Sequence, residues 1–284
     1  MKNNSPSLTA YSVALMRAAH QILDNPRVFE DPMALRIVGA QGESEIRADK
    51  RRFETRLHSY FRAAVIARSR FVEDELCLAI ERGVRQYVIL GAGLDTFAYR
   101  NSYSSFALRV FEVDYPATQE WKRRQLDVAR IPIPDNLAFV PTDFESQSLA
   151  QHLRTAGIKT DEPTFFSWLG VTMYLRRETM MATMKGICSS APPGSALIFD
   201  YVIPPSSLSP VRRLVFRMLA RRLAGFGEPW VNFLEPGALA TDLRTIGFAK
   251  SEDFGPEAIN ARYFKDRADR LRVGNLGHLM KAQL

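Results

Sequence analysis

The stretch Tyr87-Val88-Ile89-Leu90-Gly91-Ala92-Gly93-Leu94-Asp95-Thr96 decides the fold. An apolar, β-branched run breaks into two glycines one residue apart, then an acid and a hydroxyl. A buried parallel strand reads this way where its C-terminal end meets a nucleoside-type ligand, because glycine lets the backbone turn tightly and approach the ligand. The glycines alone do not name that ligand. A dinucleotide fold carries a third glycine three residues after the second, and Thr96 holds that place. The next strand, Leu108-Arg109-Val110-Phe111-Glu112-Val113-Asp114, ends in an acid about two dozen residues after Gly91. A carboxylate there suits the two hydroxyls of a ribose. The competing reading of Asp114 is a helix N-cap, since Tyr115-Pro116 opens the next helix. Glu112, on the same side of the pleat, is the reserve candidate.

Working outward, residues 1–84 read as helices: one from Ser7-Leu8-Thr9, one from Asp31-Pro32, and a long third over 47–82 with a break. Strands near 85–91, 107–113, 137–141, 164–170 and 195–202 alternate with helices, which implies a parallel sheet with right-handed crossovers. Residues 85–284 form the core in this reading, and 203–234, with Pro204-Pro205 and Gly225-Phe226-Gly227, look like an insertion. A helix over 236–246 and strands near 248–252 and 259–264 follow. The polar tail after Phe264 receives no element.

Several motifs in register carry a resemblance. Tyr87 to Arg100 and Phe111-Glu112-Val113-Asp114-Tyr115-Pro116 resemble the S-adenosylmethionine-dependent methyltransferases of the leucine carboxyl methyltransferase type. So do Ala14-Leu15-Met16-Arg17-Ala18-Ala19, Phe29-Glu30-Asp31-Pro32-Met33-Ala34, Ala67-Arg68-Ser69-Arg70-Phe71-Val72-Glu73-Asp74 and Pro141-Thr142-Asp143-Phe144. Trp168-Leu169-Gly170-Val171-Thr172-Met173-Tyr174-Leu175, Glu228-Pro229-Trp230 and Arg262-Tyr263-Phe264 complete the series. The resemblance implies an α/β fold: a class I methyltransferase Rossmann-like seven-stranded sheet with helices on both faces. It also implies an N-terminal helical extension over 1–84 and an inserted helical cap at 203–234. The implied cofactor is S-adenosyl-L-methionine. Arg68 matches the arginine that pairs with the methionyl carboxylate, a role suited to a forked guanidinium. Gly91, Ala92 and Gly93 line the methionine and ribose portion, and Asp114 with Tyr115 takes the ribose. Asp143 and Phe144 meet the adenine; the competing reading of Asp143 is an N-cap of a helix over 145–153.

One position departs from the pattern. Several relatives carry an acid where this chain has Leu169, so backbone carbonyls near Trp168 to Gly170 are left to meet the cofactor's amino group. The obvious place for a general base therefore holds none. A carboxylate acceptor is already ionised at pH 7 and needs none; catalysis then reduces to alignment and removal of water. An alcohol or phenol would want a base, most naturally a histidine. Of His20, His58, His152 and His278, His20 is the candidate, because the opening helix lies over the active site in the family. Tyr174 matches the family tyrosine, as an orienting group or a base. Tyr11, Arg17, Tyr201, Trp230 and Phe233 are the acceptor-pocket candidates; Arg17 suits an anionic acceptor.

Composition fits a cytoplasmic enzyme. The 284 residues, 46% of them hydrophobic, suffice for one large core. The first residues lack an apolar signal core, and no run is long enough to span a membrane. Cys77 and Cys188 sit in apolar helices and read as buried free thiols, and no metal spacing occurs. The net charge of +7 gathers partly in the arginine-rich stretch 211–223. No stacking aromatics interleave with those arginines, so a dedicated nucleic-acid binder is rejected. Met173, Met180, Met181 and Met184 read as core packing. The expected function is O-methylation of a small-molecule carboxylate. The alternatives are a hydroxyl or phenol acceptor, or a non-catalytic cofactor-binding homologue.

Overall fold

The computed structural model describes residues 8–101, 103, 106–145, 148–207 and 229–284. Four helices come first: α1 Leu8–Leu23, α2 Ala34–Ala48, α3 Lys50–Glu54 and α4 Arg56–Glu81. Then follow β1 Gln86–Leu90, α5 Phe97–Arg100, β2 Arg109–Asp114, α6 Pro116–Val128, β3 Leu137–Pro141, α7 Leu149–Thr155 and β4 Thr164–Trp168. Next are α8 Arg177–Ser190, β5 Ala196–Val202, α9 Pro236–Ile246, β6 Lys250–Phe254, α10 Pro256–Tyr263 and β7 Gly277–Gln283. The strands form one seven-stranded sheet in the order β3-β2-β1-β4-β5-β7-β6. β7 alone among them runs antiparallel to both of its neighbours. Every residue of β1, β4 and β5 is buried, as expected of parallel strands covered on both faces.

Two apolar layers sandwich the sheet. On one face Ala67, Phe71 and Leu76 of α4 pack on Tyr87, Ile89, Val110, Phe165 and Ile198. On the other, Met180, Met184 and Ile187 of α8 and Leu239 and Leu243 of α9 pack on Val88, Leu90, Phe111, Trp168 and Phe199. Met180 and Met184 are thus core residues, as their helical spacing expects, with the half-buried Met181 at the margin; burying such a side chain contributes about 1.5–3 kcal/mol. A third cluster joins α1 and α2 to Phe53 of α3, Val65 of α4, Leu94 and Leu126. It lays the N-terminal helices against the segment that follows β1.

The break expected within the helix over 47–82 falls at extended Thr55 (ψ 145°), between α3 and α4. Two expectations change. The strand expected near 259–264 is instead α10: Pro256 starts it, Glu257 suits its first turn, and Ile259 and Tyr263 sit one turn apart against the core. The last strand, β7, lies in the tail that had received no element. Cys77 and Cys188 are free thiols, each half-buried. The arginine-rich stretch 211–223 and most of the expected cap lie outside the described residues. Where the chain is described again, Val231 and Asn232 donate their amides to Met173 O (2.9 and 3.2 Å), and Leu234 N donates to Val202 O (3.0 Å).

The register aligns the strand ends. Leu90 pairs with Val113 on one side and Trp168 on the other. The segments leaving β1, β2 and β4 therefore meet at one rim, where open α/β sheets bind ligands.

Candidate active site

At that rim the chain turns at Gly91 (φ +67°) and Gly93 (φ +47°). The amides of Gly91 and Ala92 both donate to Val113 O, at 2.7 and 3.1 Å. A Cβ on Gly91 would collide with Val171 Cγ2, and one on Gly93 would lie 3.1 Å from Ala10 Cβ of α1. Glycine is therefore required at Gly91 by backbone conformation and by space. Ala10 shows that α1 roofs the loop.

Asp114 closes the loop from β2. Its carboxylate accepts from Gly93 N and from Tyr115 N, both at 2.6 Å. The N-cap of α6 is Tyr115, with no side-chain cap, so Asp114 is not spent as a cap. Asp143 leaves β3 and accepts from Glu145 N at 2.9 Å. It lies upstream of α7, whose N-cap is Ser148, so the capping alternative fails here too. Phe144 is half-buried, its ring 5.6 Å from that of Trp168. The Trp168 indole N–H is buried without a hydrogen-bond partner among the described residues.

The turn after β4 holds a pair that sequence reasoning missed. Arg68, from α4, places Nη1 2.6 Å from an Asp200 carboxylate oxygen, and the two side chains are 12% and 11% exposed. The other Asp200 oxygen accepts from Gly170 N at 2.6 Å. Gly170 has φ +72°, and a Cβ there would lie 2.7 Å from Arg68 Nη2. Leu169, one residue earlier, is half-buried against the α4 face of the sheet. Tyr174 is half-buried at the end of a short 3-10 turn, Thr172–Tyr174. That turn is pinned by Thr172 Oγ1 donating to Asp200 O and by Asn232 Nδ2 donating to Thr172 O at 3.2 Å.

Two candidates prove to be committed elsewhere. His20 is fully buried; Nδ1 lies 2.7 Å from Asp24, and Nε2 accepts from Val28 N (3.1 Å) and Phe29 N (3.2 Å). Those bonds fix a neutral ring with its proton on Nδ1 and leave no nitrogen for an acceptor's proton. Burial pushes the Asp24 carboxyl upward, but hydrogen bonds from His20 and Arg62 outweigh it and hold the group below its ordinary value. Arg17 is buried as well. It donates to Leu94 O and pairs with Asp31 and Asp95, each at 3.5 Å. Asp31 also accepts from Thr96 Oγ1 at 2.7 Å and lies 3.4 Å from Arg100, which pairs with Glu73. Arg17 is thus a tie between α1 and the glycine loop rather than an open anion hook.

The other acceptor candidates sit on separate elements. Tyr11 of α1 is half-buried beside Gly42 of α2; burial, then the nearby Glu45 carboxylate, raises its hydroxyl pKa. Tyr201 is buried, and its hydroxyl donates to Asp253 Oδ1 at 2.7 Å. Burial, then that bond, holds the hydroxyl protonated. His278 Nδ1 lies 3.0 Å from the same carboxylate. Trp230 and Phe233 are half-buried in the segment that leads into α9. Glu112, the reserve ribose ligand, is buried against Lys122 Nζ at 2.6 Å. Burial lifts its carboxyl to about 7 despite that ammonium.

This rim on a seven-stranded sheet with one reversed strand defines the class of S-adenosylmethionine-dependent methyltransferases with a Rossmann-like fold, and comparison agrees. Residues 10–188 match the sequence profile of a family described as leucine carboxyl methyltransferase. The chain belongs to that family. A Bacillus subtilis (strain 168) protein named "Putative S-adenosyl-L-methionine-dependent methyltransferase YktD" is 31% identical over 99% of both chains. A Mycobacterium marinum protein of the same description is 31% identical over 81% of this chain and 74% of its own. In fold, the chain is similar to the crystal structure of a "putative methyltransferase" from Thermobifida fusca YX. The TM-score is 0.58 and the identity 17%, over 99% of this chain and 96% of the other. The cofactor is S-adenosylmethionine. The rim suits it: a glycine turn that a Cβ would fill, carboxylates at the ends of β2 and β3, and an arginine beside a carboxylate after β4. Among the described residues no helix is long and apolar enough to cross a membrane.

Proposed function

We propose that this methyltransferase acts on oxygen, and that its acceptor is the carboxylate of a small molecule. Bound S-adenosylmethionine supplies a methyl group on a positively charged sulfur; transfer to a carboxylate oxygen makes an ester and leaves neutral S-adenosylhomocysteine. In this reading Arg68 holds the methionyl carboxylate, and the Gly91-Ala92-Gly93 backbone runs beneath the methionyl and ribose portion. Asp114, beside Tyr115, accepts the ribose hydroxyls; Asp143 accepts from the adenine amino group, with Phe144 and Trp168 alongside. Leu169, Tyr11, Trp230 and Phe233 exclude water at the acceptor side, and Tyr174 orients the acceptor. Arg17 and Tyr201 act from within the walls.

The observation that carries the carboxylate reading is that the turn after β4 presents Leu169 while His20 has both ring nitrogens bonded. An ionised carboxylate asks the protein for alignment and dehydration, and for no proton transfer. The family's description points the same way.

A second reading, a hydroxyl or phenol acceptor, draws on one observation. His278 is held through Nδ1 by Asp253 next to Tyr201, which leaves Nε2 as the nitrogen that could take an acceptor's proton. Turnover of radiolabelled cofactor with panels of carboxylic and phenolic acceptors separates the two. Methyl esters release methanol in mild alkali and aryl ethers do not. Alkali-labile product, with a His278→Ala variant keeping its rate, supports the carboxylate. Alkali-stable product together with loss of rate in that variant refutes it.

A further inference from the structure

The Arg68–Asp200 pair is an unusual receptor if it serves only an anion. A guanidinium meant for a carboxylate gains nothing from a second carboxylate 2.6 Å away, because that neighbour repels the incoming ligand. Yet the pair is built to stay. Asp200 lies inside β5, level with Leu279 of β7, and is further fixed by Gly170 N at 2.6 Å. Arg68 reaches it across the sheet face from α4 and rests against Gly170, where no Cβ intrudes. We infer that Asp200 is the second half of an α-amino-acid receptor: Arg68 takes the carboxylate of the methionyl group and Asp200 takes its ammonium. The inference rests on the cofactor assignment above and adds a residue to it.

The bonding capacities agree. A carboxylate has about four lone-pair sites and a guanidinium five N–H donors. Asp200 spends one site on Arg68 and one on Gly170 N, and Arg68 gives one donor to Asp200. Both groups keep capacity, and together they are neutral and largely desolvated. A neutral ligand or a plain anion finds no counterpart for one of the two charges; a zwitterion matches both. The pairing also answers the departure at Leu169. The carboxylate that the β4 turn lacks arrives from β5, bonded to the residue that follows Leu169.

Titration calorimetry on the full chain tests this with three ligands: S-adenosylhomocysteine, its analogue with hydrogen in place of the α-ammonium, and 5′-methylthioadenosine, which lacks the amino acid altogether. The wild-type protein is expected to bind S-adenosylhomocysteine at least ~10-fold more tightly than the deaminated analogue, the size of one charge-assisted hydrogen bond. Asp200→Asn keeps the shape and the acceptor for Gly170 N. It is expected to lose about 10–100-fold for S-adenosylhomocysteine and no more than about 3-fold for the other two ligands. Equal losses for S-adenosylhomocysteine and the deaminated analogue would overturn the inference and leave Asp200 as a clamp for Arg68. Equal wild-type affinities for those two ligands would overturn it without any variant, and so without any question of folding. Wild-type protein that binds neither S-adenosylhomocysteine nor methylthioadenosine would overturn the cofactor assignment itself.

Discussion

Replacing Gly91 by alanine probes the turn on which the site depends. Gly91 sits at φ +67°, and a side chain in that region costs about 1–2 kcal/mol. The new Cβ would also overlap Val171 Cγ2. Val171 cannot simply retreat, because the adjoining turn is tied to Asp200 O through Thr172 and to Val231 and Asn232 through Met173 O. Overpacking at such a place costs about 1–3 kcal/mol. Alanine stiffens the unfolded chain and returns about 0.4–1 kcal/mol. The net expectation is a loss of about 1–4.5 kcal/mol, read from urea unfolding at constant m. The double variant Gly91→Ala/Val171→Ala removes the overlapping methyl while leaving the φ cost. The cycle should therefore show a favourable coupling of about 1–3 kcal/mol. Additivity within about 0.5 kcal/mol would refute the steric argument, and a Gly91→Ala loss below ~1 kcal/mol would refute the combined expectation.

Further expectations concern the charged residues. His20→Ala should cost about 2–4 kcal/mol of stability, since it strips one partner from Asp24 and the acceptor from two backbone amides. It should leave turnover per folded molecule within a few-fold; a large loss of turnover at unchanged stability would return His20 to catalysis. Asp114→Ala and Arg68→Ala should each weaken cofactor binding by about 1.5–3 kcal/mol in calorimetry, and unchanged affinity in both would sink the site assignment. Glu112, lifted by burial to about 7, favours its neutral form in the folded chain. Its contribution is therefore fully present below the unfolded carboxyl value near ~4.3 and is lost as pH rises through about 7. Stability should fall across that window, and Glu112→Gln should flatten the fall. An unchanged slope in the variant would place the titration elsewhere.

The strands β1, β2, β4 and β5 were legible because burial on both faces turns a parallel strand into a continuous apolar run. Gln86–Leu90 and Ala196–Val202 stand out from the polar segments around them. β7 did not stand out, for the opposite reason. Leu279 faces one apolar layer while Met280 and Ala282 face the other. His278 precedes them and Lys281 interrupts them, and the polarity of neither marks a solvent-facing surface: Lys281 is 2.6 Å from Glu75, and His278 is held by Asp253. Residues 259–264 misled because Ile259, Ala261 and Tyr263 alternate like a strand, while Pro256 sets a helix going three residues earlier.

The acids at strand ends were legible for a geometric reason: a carboxylate that terminates an apolar run is at the rim by construction, as Asp114 and Asp143 are. Asp200 sits within its run, and its partner lies 132 residues away, so no local pattern joins them. A usable signal existed nonetheless, because an acid inside a strand buried along its whole length needs a cation or several donors to be tolerated there. The same reasoning applies to α1. Arg17 shares a helical stripe with Ala14 and Ala18, and His20 lies one turn beyond Met16; all of these are buried. Polar residues on the buried stripe of a helix must be satisfied by the fold before they can serve a ligand. Arg17 and His20 are so satisfied, by Leu94 O, Asp31 and Asp95 in one case and by Asp24 and two backbone amides in the other. Residues on that face hold the roof over the glycine turn, and the proposed contacts to an acceptor fall instead to the half-buried Tyr11, Tyr174, Trp230 and Phe233.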